Sequence, residues 1–192
     1  MRIGMIGKGN VGTALGKGLA AKGHEVRYGH RDRSEPVEAA AQFGQVIVLA
    51  VPYREAGNVA KVISPYVTDK VVVDVTNVLG TDGKLMLGFD TSGAEEWQRL
   101  LPKAKVAKAF NYVFAKNMTS GKLSGQPLTA FIAADDQTAK RTVIGLAKDL
   151  GFDPIDAGGL RASRYLEPLA MMLIELGFAM GMGTSIGFRL VK

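Results

Sequence analysis

A doubly wound α/β fold, a parallel sheet with helices on both faces and a small helical segment at its C-terminal end, is what this sequence predicts. Three observations predict it. Continuous apolar runs such as Gln45–Val51 and Lys70–Val75 read as strands buried on both faces, as parallel strands are. Amphipathic stretches of helical length separate them, which implies right-handed crossovers. The first run, with Ile3, Met5 and Ile6, leads into Gly7-x-Gly9-x-x-Gly12 where the apolar period changes from extended to helical.

Each element follows in order. A helix carrying Val11, Leu15 and Leu19 leads through Lys22-Gly23 into a second strand, His24 to Tyr28. Ser34-Glu35-Pro36 opens a short helix to Gln42, the third strand ends at Pro52, and Tyr53-Arg54 opens a helix to about Ile63. The fourth strand ends at Thr76-Asn77. Val78 to Ser92, with Gly80, Asp82, Gly83 and Gly88, reads as a long loop, a feature usually functional in a compact domain. A helix from Gly93 to Leu101, a strand from Lys105 to Phe110, a polar connection, a strand from Leu128 to Ala133, a helix from Asp135 to Leu150 and a strand from Phe152 to Ile155 complete the pattern. Residues 1–157 are then the nucleotide-binding domain, and 158–192 a helical segment and dimer contact.

Composition narrows the function. With no cysteine among 192 residues the chain has no thiolate nucleophile, disulfide or cysteine-held metal, which fits a reducing cytoplasm. No basic segment precedes an apolar one at Met1, so no signal peptide is expected. The formal charge of +6 comes from scattered lysines and arginines, which favours a small anionic ligand over nucleic acid. Leu169 to Phe188 is apolar enough to raise a membrane span, but Glu175 lies mid-span and Gly177, Gly181, Gly183 and Gly187 interrupt it. A buried or dimer-facing helix is the expectation, with no membrane partner.

The glycine turn carries the binding chemistry. Gly7 allows the sharp turn, Gly9 lets backbone approach a pyrophosphate, and Gly12 lets helix and strand pack closely, so that Gly7, Lys8, Gly9, Asn10, Val11 and Gly12 surround the phosphates at a helix N-terminus. Folds that bind NAD place a carboxylate about 20 positions beyond this turn, whereas arginine there accommodates a 2′-phosphate. Positions 28 to 31 carry no carboxylate. His30 and Arg31, with Arg33, therefore read as a 2′-phosphate clamp and the cofactor as NADP. A solvated charged turn is the other reading, and Asp32 favours it.

Ligands of open parallel sheets sit beyond the carboxyl ends of the strands. Ala50, Val51 and Pro52, Thr76 and Asn77, and Asn111 occupy those ends and should border the reacting ring, with the two asparagine amides free to bind a carboxamide. His24 begins a strand and His30 lies at the adenosine end, so neither is placed to protonate a substrate carbonyl. An alcohol dehydrogenase would need Lys108, Tyr112, Lys116 or Glu167, whereas hydride transfer between stacked rings needs chiefly proximity. No catalytic residue and no metal ligand is assigned.

Gly7-Lys-Gly-Asn-Val-Gly12, Gly29-His-Arg31, Leu49-Ala-Val-Pro52, Val73-Asp-Val-Thr-Asn77, Lys108-Ala-Phe-Asn111 and Asp156-Ala-Gly-Gly-Leu160 followed by Ala162-Ser-Arg-Tyr-Leu-Glu-Pro168 resemble the NADPH-dependent coenzyme F420 reductase family. The reductase domains of the STEAP metalloreductases are related to it. The resemblance implies an NADP-binding Rossmann domain with a small helical C-terminal part, usually dimeric, passing hydride between NADPH and coenzyme F420 or a flavin such as FMN or FAD. Lys8 and His30 stand where that family more often has small hydroxyl residues, a change compatible with phosphate binding. Two rival functions stay open: an imine or oxoacid reductase of the pyrroline-carboxylate reductase type, and a non-enzymatic NADP-binding sensor.

Overall fold

The computed structural model describes residues 1–32 and 34–191. Seven strands form one sheet: β1 (Arg2–Ile6), β2 (Glu25–Gly29), β3 (Val46–Leu49), β4 (Val71–Asp74), β5 (Lys105–Lys108), β8 (Thr129–Ala134) and β9 (Asp153–Asp156), in the order β2-β1-β3-β4-β5-β8-β9. A separate two-stranded hairpin, β6 (Lys122–Leu123) with β7 (Gln126–Pro127), lies in the connection that the sequence pattern reads as polar coil. The helices are α1 (Asn10–Ala20), α2 (Val37–Phe43), α3 (Ala56–Ile63), α4 (Gly93–Leu100), α5 (Ala115–Met118), α6 (Gln137–Asp149) and α7 (Ser163–Ile174).

The strand order is that of a Rossmann sheet, with one departure from all-parallel pairing. β1 to β5 are parallel to their neighbours, whereas β8 pairs with β5 antiparallel through Ala107↔Ala134 and Lys108↔Ala133. The chain between them holds only the single turn of α5 and the hairpin, too little for the helical crossover that a parallel return requires. β9 then runs parallel to β8.

Alternating side chains build a core on each face. Ile3, Met5, Val48 and Val73 pack beneath α1 and α6, while Ile6, Ile47, Leu49 and Val72 pack beneath α2, α3 and α4 with Trp97. At roughly 1.5–3 kcal/mol for each large apolar side chain buried, these two layers are the main source of stability. Leu166 and Ala170 of α7 belong to the first core, so residues beyond 157 share the body's interior.

The C-terminal stretch departs from the long helix expected over 169–188. α7 ends at Ile174, a single π turn covers Glu175–Ala179, and the chain then leaves helical geometry. Gly181 and Gly183 both take φ of +70°, a conformation that a helix cannot continue through, and the N–H of Gly183 donates back to the Gly177 carbonyl at 2.9 Å. The tail folds back onto β8, where the Thr129 N–H donates to the Phe188 carbonyl at 3.1 Å and the Leu190 N–H to Thr129 Oγ1 at 2.8 Å. Among the described residues no helix is long and apolar enough to cross a membrane.

Candidate functional site

The glycine turn joins β1 to α1 as its spacing predicts. Gly7 sits at φ +109°, and a Cβ there would stand 2.2 Å from the Ala50 carbonyl oxygen. A Cβ on Gly12 would lie 2.1 Å from the oxygen of Gly7, so that position is closed to any larger residue. Gly9 differs: a Cβ there would meet nothing within 4 Å. The space above Gly9 opens at the N-terminus of an 11-residue helix with no acidic residue in its first turn, where free N–H groups favour a bound anion. A pyrophosphate fits that cradle.

Two cavities meet at the turn. One, of about 470 Å³, gathers Gly7, Lys8 and Gly9 with His30, Arg31, Ala50, Val51 and Pro52. Eight residues singled out from three separate strand ends therefore share one space. The other, of about 610 Å³, begins at Lys8, Gly9 and Asn10 and extends to Lys116, Phe114 and Phe178. Val11 and Gly12 lie behind the turn in α1. Arg33 lies outside the described residues.

At the loop after β2 the sequence reading missed one group. Counting along β2 finds no carboxylate, yet the chain brings Glu35 back to it: Lys8 Nζ donates to both Glu35 oxygens at 2.8 and 2.7 Å, and Glu35 Oε2 lies 2.5 Å from His30 Nε2. The Asp32 N–H donates to His30 Nδ1 at 3.3 Å, which puts the ring proton on Nε2, facing Glu35. The hydrogen bonds of Lys8 and then of His30 hold the Glu35 carboxyl below the usual carboxylate range.

Thr76, Asn77 and Asn111 come together at the ends of β4 and β5, though they line neither cavity. Asn77 Nδ2 donates to the Asn111 carbonyl at 2.8 Å, while Asn111 Nδ2 donates to Asn77 Oδ1 at 3.1 Å and to the Leu166 carbonyl at 2.9 Å. Their amides thus bind each other first. Asn111 Oδ1 and Thr76 Oγ1 remain buried without partners, two acceptors at the strand ends. Phe110, directly before Asn111, holds φ +63°, a strained conformation for a bulky residue and one that clusters at functional sites.

Beneath these residues lies a buried ionic triad that no single motif announces. Lys108 Nζ is 2.8 Å from Asp74 Oδ2 and 3.0 Å from Glu167 Oε1, with all three side chains fully enclosed. The Glu167 contact is one of charge, since that oxygen lacks hydrogen-bond geometry. Burial alone pushes the Lys108 ammonium down; the charges of Asp74 and Glu167 outweigh it and hold its pKa above the ordinary value. The triad also fixes backbone, because Lys108 Nζ donates to the Thr76 carbonyl at 2.7 Å, the Thr76 N–H to Asp74 Oδ1 at 2.8 Å, and the Gly93 N–H to Glu167 Oε2 at 3.1 Å. The signal available in sequence was a polar residue inside each of three apolar elements.

Of the four candidate proton donors, three are sealed from substrate. Lys108 and Glu167 belong to the triad, and the Tyr112 hydroxyl donates to the Thr129 carbonyl at 3.0 Å inside the core, where burial drives its pKa above the usual range. Lys116 alone reaches a cavity, where it donates to Ser185 Oγ.

Comparisons with known proteins support the fold and the family resemblance. The family described as NADP oxidoreductase, coenzyme F420-dependent, matches residues 2–44, from β1 through the glycine turn, α1 and β2 to the end of α2. An F420-dependent NADP reductase from Methanocaldococcus jannaschii is 30% identical over 143 residues, covering 71% of this chain and 64% of that protein. The metalloreductase STEAP3 of Rattus norvegicus is 29% identical over 185 residues, or 90% of this chain but 37% of that protein. A solved structure from Arthrobacter sp. FB24, described as a candidate F420-dependent NADP reductase, superposes with a TM-score of 0.91 at 28% identity and covers 100% of both chains. The chain thus spans about a third of the STEAP protein and somewhat under two thirds of the archaeal reductase.

Proposed function

We propose that this chain, a relative of the coenzyme F420-dependent NADP oxidoreductases, passes hydride between NADP(H) and a ring acceptor of the deazaflavin or flavin type. The observation that carries the reading is the open cradle above Gly9, at a helix N-terminus without acidic residues and beside His30 and the cationic Arg31. Bound NADPH supplies the hydride. Gly7 to Gly12 hold the pyrophosphate through backbone N–H groups, and Arg31 with His30 and Arg33 grips the 2′-phosphate. Ala50, Val51 and Pro52 line the cavity, and at the neighbouring strand ends the buried Asn111 Oδ1 and Thr76 Oγ1 are the acceptors a carboxamide amine would take.

The chain contributes orientation and no proton relay. Transfer between stacked rings requires reacting atoms held about 3–3.5 Å apart, a task for rigid strand ends. The enclosure of Lys108, Tyr112 and Glu167 supports this reading over an alcohol dehydrogenase. Lys116, facing the larger cavity, is the one observation that favours an imine or oxoacid reductase.

Residues 1–157 act as the nucleotide-binding part, and 158–192, helical only as far as Ala179, carry a homodimer contact. Its exposed Tyr165, Met172, Phe178, Met180 and Met182 support the dimer assignment, since exposed apolar side chains gathered on one segment commonly mark an interface.

The test is the loss of NADPH absorbance with purified protein offered coenzyme F420, FMN, FAD or a ferric chelate, against NADH controls. Turnover with F420 or a flavin, and with NADPH over NADH, is the expected result. Turnover with an imine or oxoacid and loss of that activity in Lys116→Met would establish the rival reductase. Tight NADPH binding without turnover on any acceptor would make the chain a sensor.

A further inference from the structure

The loop at the adenosine end of the cleft brings its own anion to the lysine and histidine that face it. Glu35 engages Lys8 with both carboxylate oxygens, at 2.8 and 2.7 Å, and His30 with one of them. Backbone geometry fixes this arrangement, because the His30 N–H donates to the Glu35 carbonyl at 2.9 Å and the Glu35 N–H to the Asp32 carbonyl at 3.1 Å. Lys8 and His30 both line the adenosine cavity. The three side chains keep 43%, 34% and 28% of their surface open for Lys8, Glu35 and His30, so they can exchange partners with the sheet intact.

We infer that Glu35 is an internal stand-in for the 2′-phosphate: it occupies the Lys8–His30 cradle in the free protein, leaves it when NADP binds, and so limits the preference for NADP over NAD. The inference rests on the NADP reading of the cleft. A phosphate dianion and a carboxylate cannot share the Lys8 ammonium and the His30 Nε2–H donor, since the repulsion between them would cancel much of the attraction that either gains. The low pKa of Glu35 keeps that carboxylate charged at neutral pH, and the anion therefore competes under working conditions. NAD carries a hydroxyl at the same position. It leaves Glu35 where it is, and the carboxylate can accept a hydrogen bond from the ribose.

Removing the charge therefore has opposite consequences for the two cofactors. Glu35→Gln should tighten NADPH roughly two- to fivefold, the size typical of one competing surface charge, and leave NADH unchanged or slightly weaker. Glu35→Asp keeps the charge and should keep the wild-type preference.

The experiment is calorimetric titration of wild type, Glu35→Gln and Glu35→Asp with NADPH and NADH, and with the fragments 2′,5′-ADP and AMP, each protein first checked by thermal melting. Tightening of NADPH and 2′,5′-ADP alone, in Glu35→Gln alone, is the expected result. Weaker NADPH in Glu35→Gln would show that the carboxylate orients the cradle instead of filling it, and equal changes for both cofactors would show no role in selection; either overturns the inference. A wild type that binds neither NADPH nor 2′,5′-ADP would sink the NADP reading itself, and the inference with it. Wild-type NADPH binding with an unmoved variant would sink the inference alone.

Discussion

The two ends of the cleft are built on opposite principles. Beside the glycine turn, Lys8, His30 and Glu35 sit on a turn and a loop, partly open to solvent and paired by contacts that a ligand can replace. At the strand ends, Asp74, Lys108 and Glu167 are fully enclosed and tie three segments of backbone together. The contrast teaches which parts of the molecule tolerate adjustment. An exposed ion pair on a loop can exchange partners, whereas an enclosed triad that ties backbone segments together cannot do so without unpairing a buried charge.

Lys108→Met should break the buried end outright. It leaves Asp74 and Glu167 facing each other without their cation, and removing one partner of such a group costs about 3–5 kcal/mol. Thermal melting should show a larger loss than Arg31→Ala or Glu95→Gln produces, and Lys108→Met combined with Glu167→Gln should recover part of it. The sign with pH follows from the raised pKa of Lys108: its contribution is present below about pH 10.4 and fades as pH rises through the higher folded value. A variant as stable as wild type would mean that the triad is not a structural anchor.

Arg31→Ala tests the other end, and its effect should fall on binding with the fold intact. NADPH affinity should drop roughly tenfold to a hundredfold, the loss expected for a charge-assisted phosphate contact, with NADH nearly unchanged and the melting temperature unmoved. Equal loss for both cofactors, or none, would overturn the clamp assignment. A stability loss as large as that of Lys108→Met would erase the contrast between the two ends.

The same contrast explains what was legible in the sequence. β1, the glycine turn and α1 could be read because local constraints fix them: Gly7 at positive φ and Gly12 packed against the turn leave no other residue possible. The strand ends could be read as positions, since apolar runs stop where Pro52, Asn77 and Asn111 stand. Partners across space could not. Glu35 reaches Lys8 across 27 positions, and Glu167 reaches Lys108 across 59, separations that no helical or strand period encodes. The reversed β8 escaped for the same reason, because the direction of a strand depends on the length and structure of its connection. Over 169–188, apolar content predicted one helix, while Gly181 and Gly183 ended it through backbone conformation.

The smallest expected effect lies between the two regimes. Ser92 caps α4 by accepting the Glu95 N–H at 3.2 Å, and its hydroxyl donates to Glu95 Oε2 at 2.8 Å. Glu95 turns outward from this cap to accept Arg164 of α7, with Nη2 at 2.7 Å and Nε at 2.9 Å, so one carboxylate both caps a helix and docks its neighbour. Arg164 first, and Ser92 after it, keep the Glu95 carboxyl below its ordinary value against the opposing pull of burial. A depressed carboxylate stabilises the fold above its unfolded pKa of about 4.3 and ceases to do so as pH falls through the folded value. Glu95→Gln should therefore lower the melting temperature at neutral pH by roughly 1–3 °C, as expected for a half-screened pair. That deficit should shrink as the pH falls below about 4. Melting curves of the two proteins at neutral and acid pH decide it, the difference between them cancelling the other carboxylates that titrate in the same range. A deficit that stayed constant with pH would assign the loss to the cap alone, and would leave the docking of α7 to the enclosed triad beneath it.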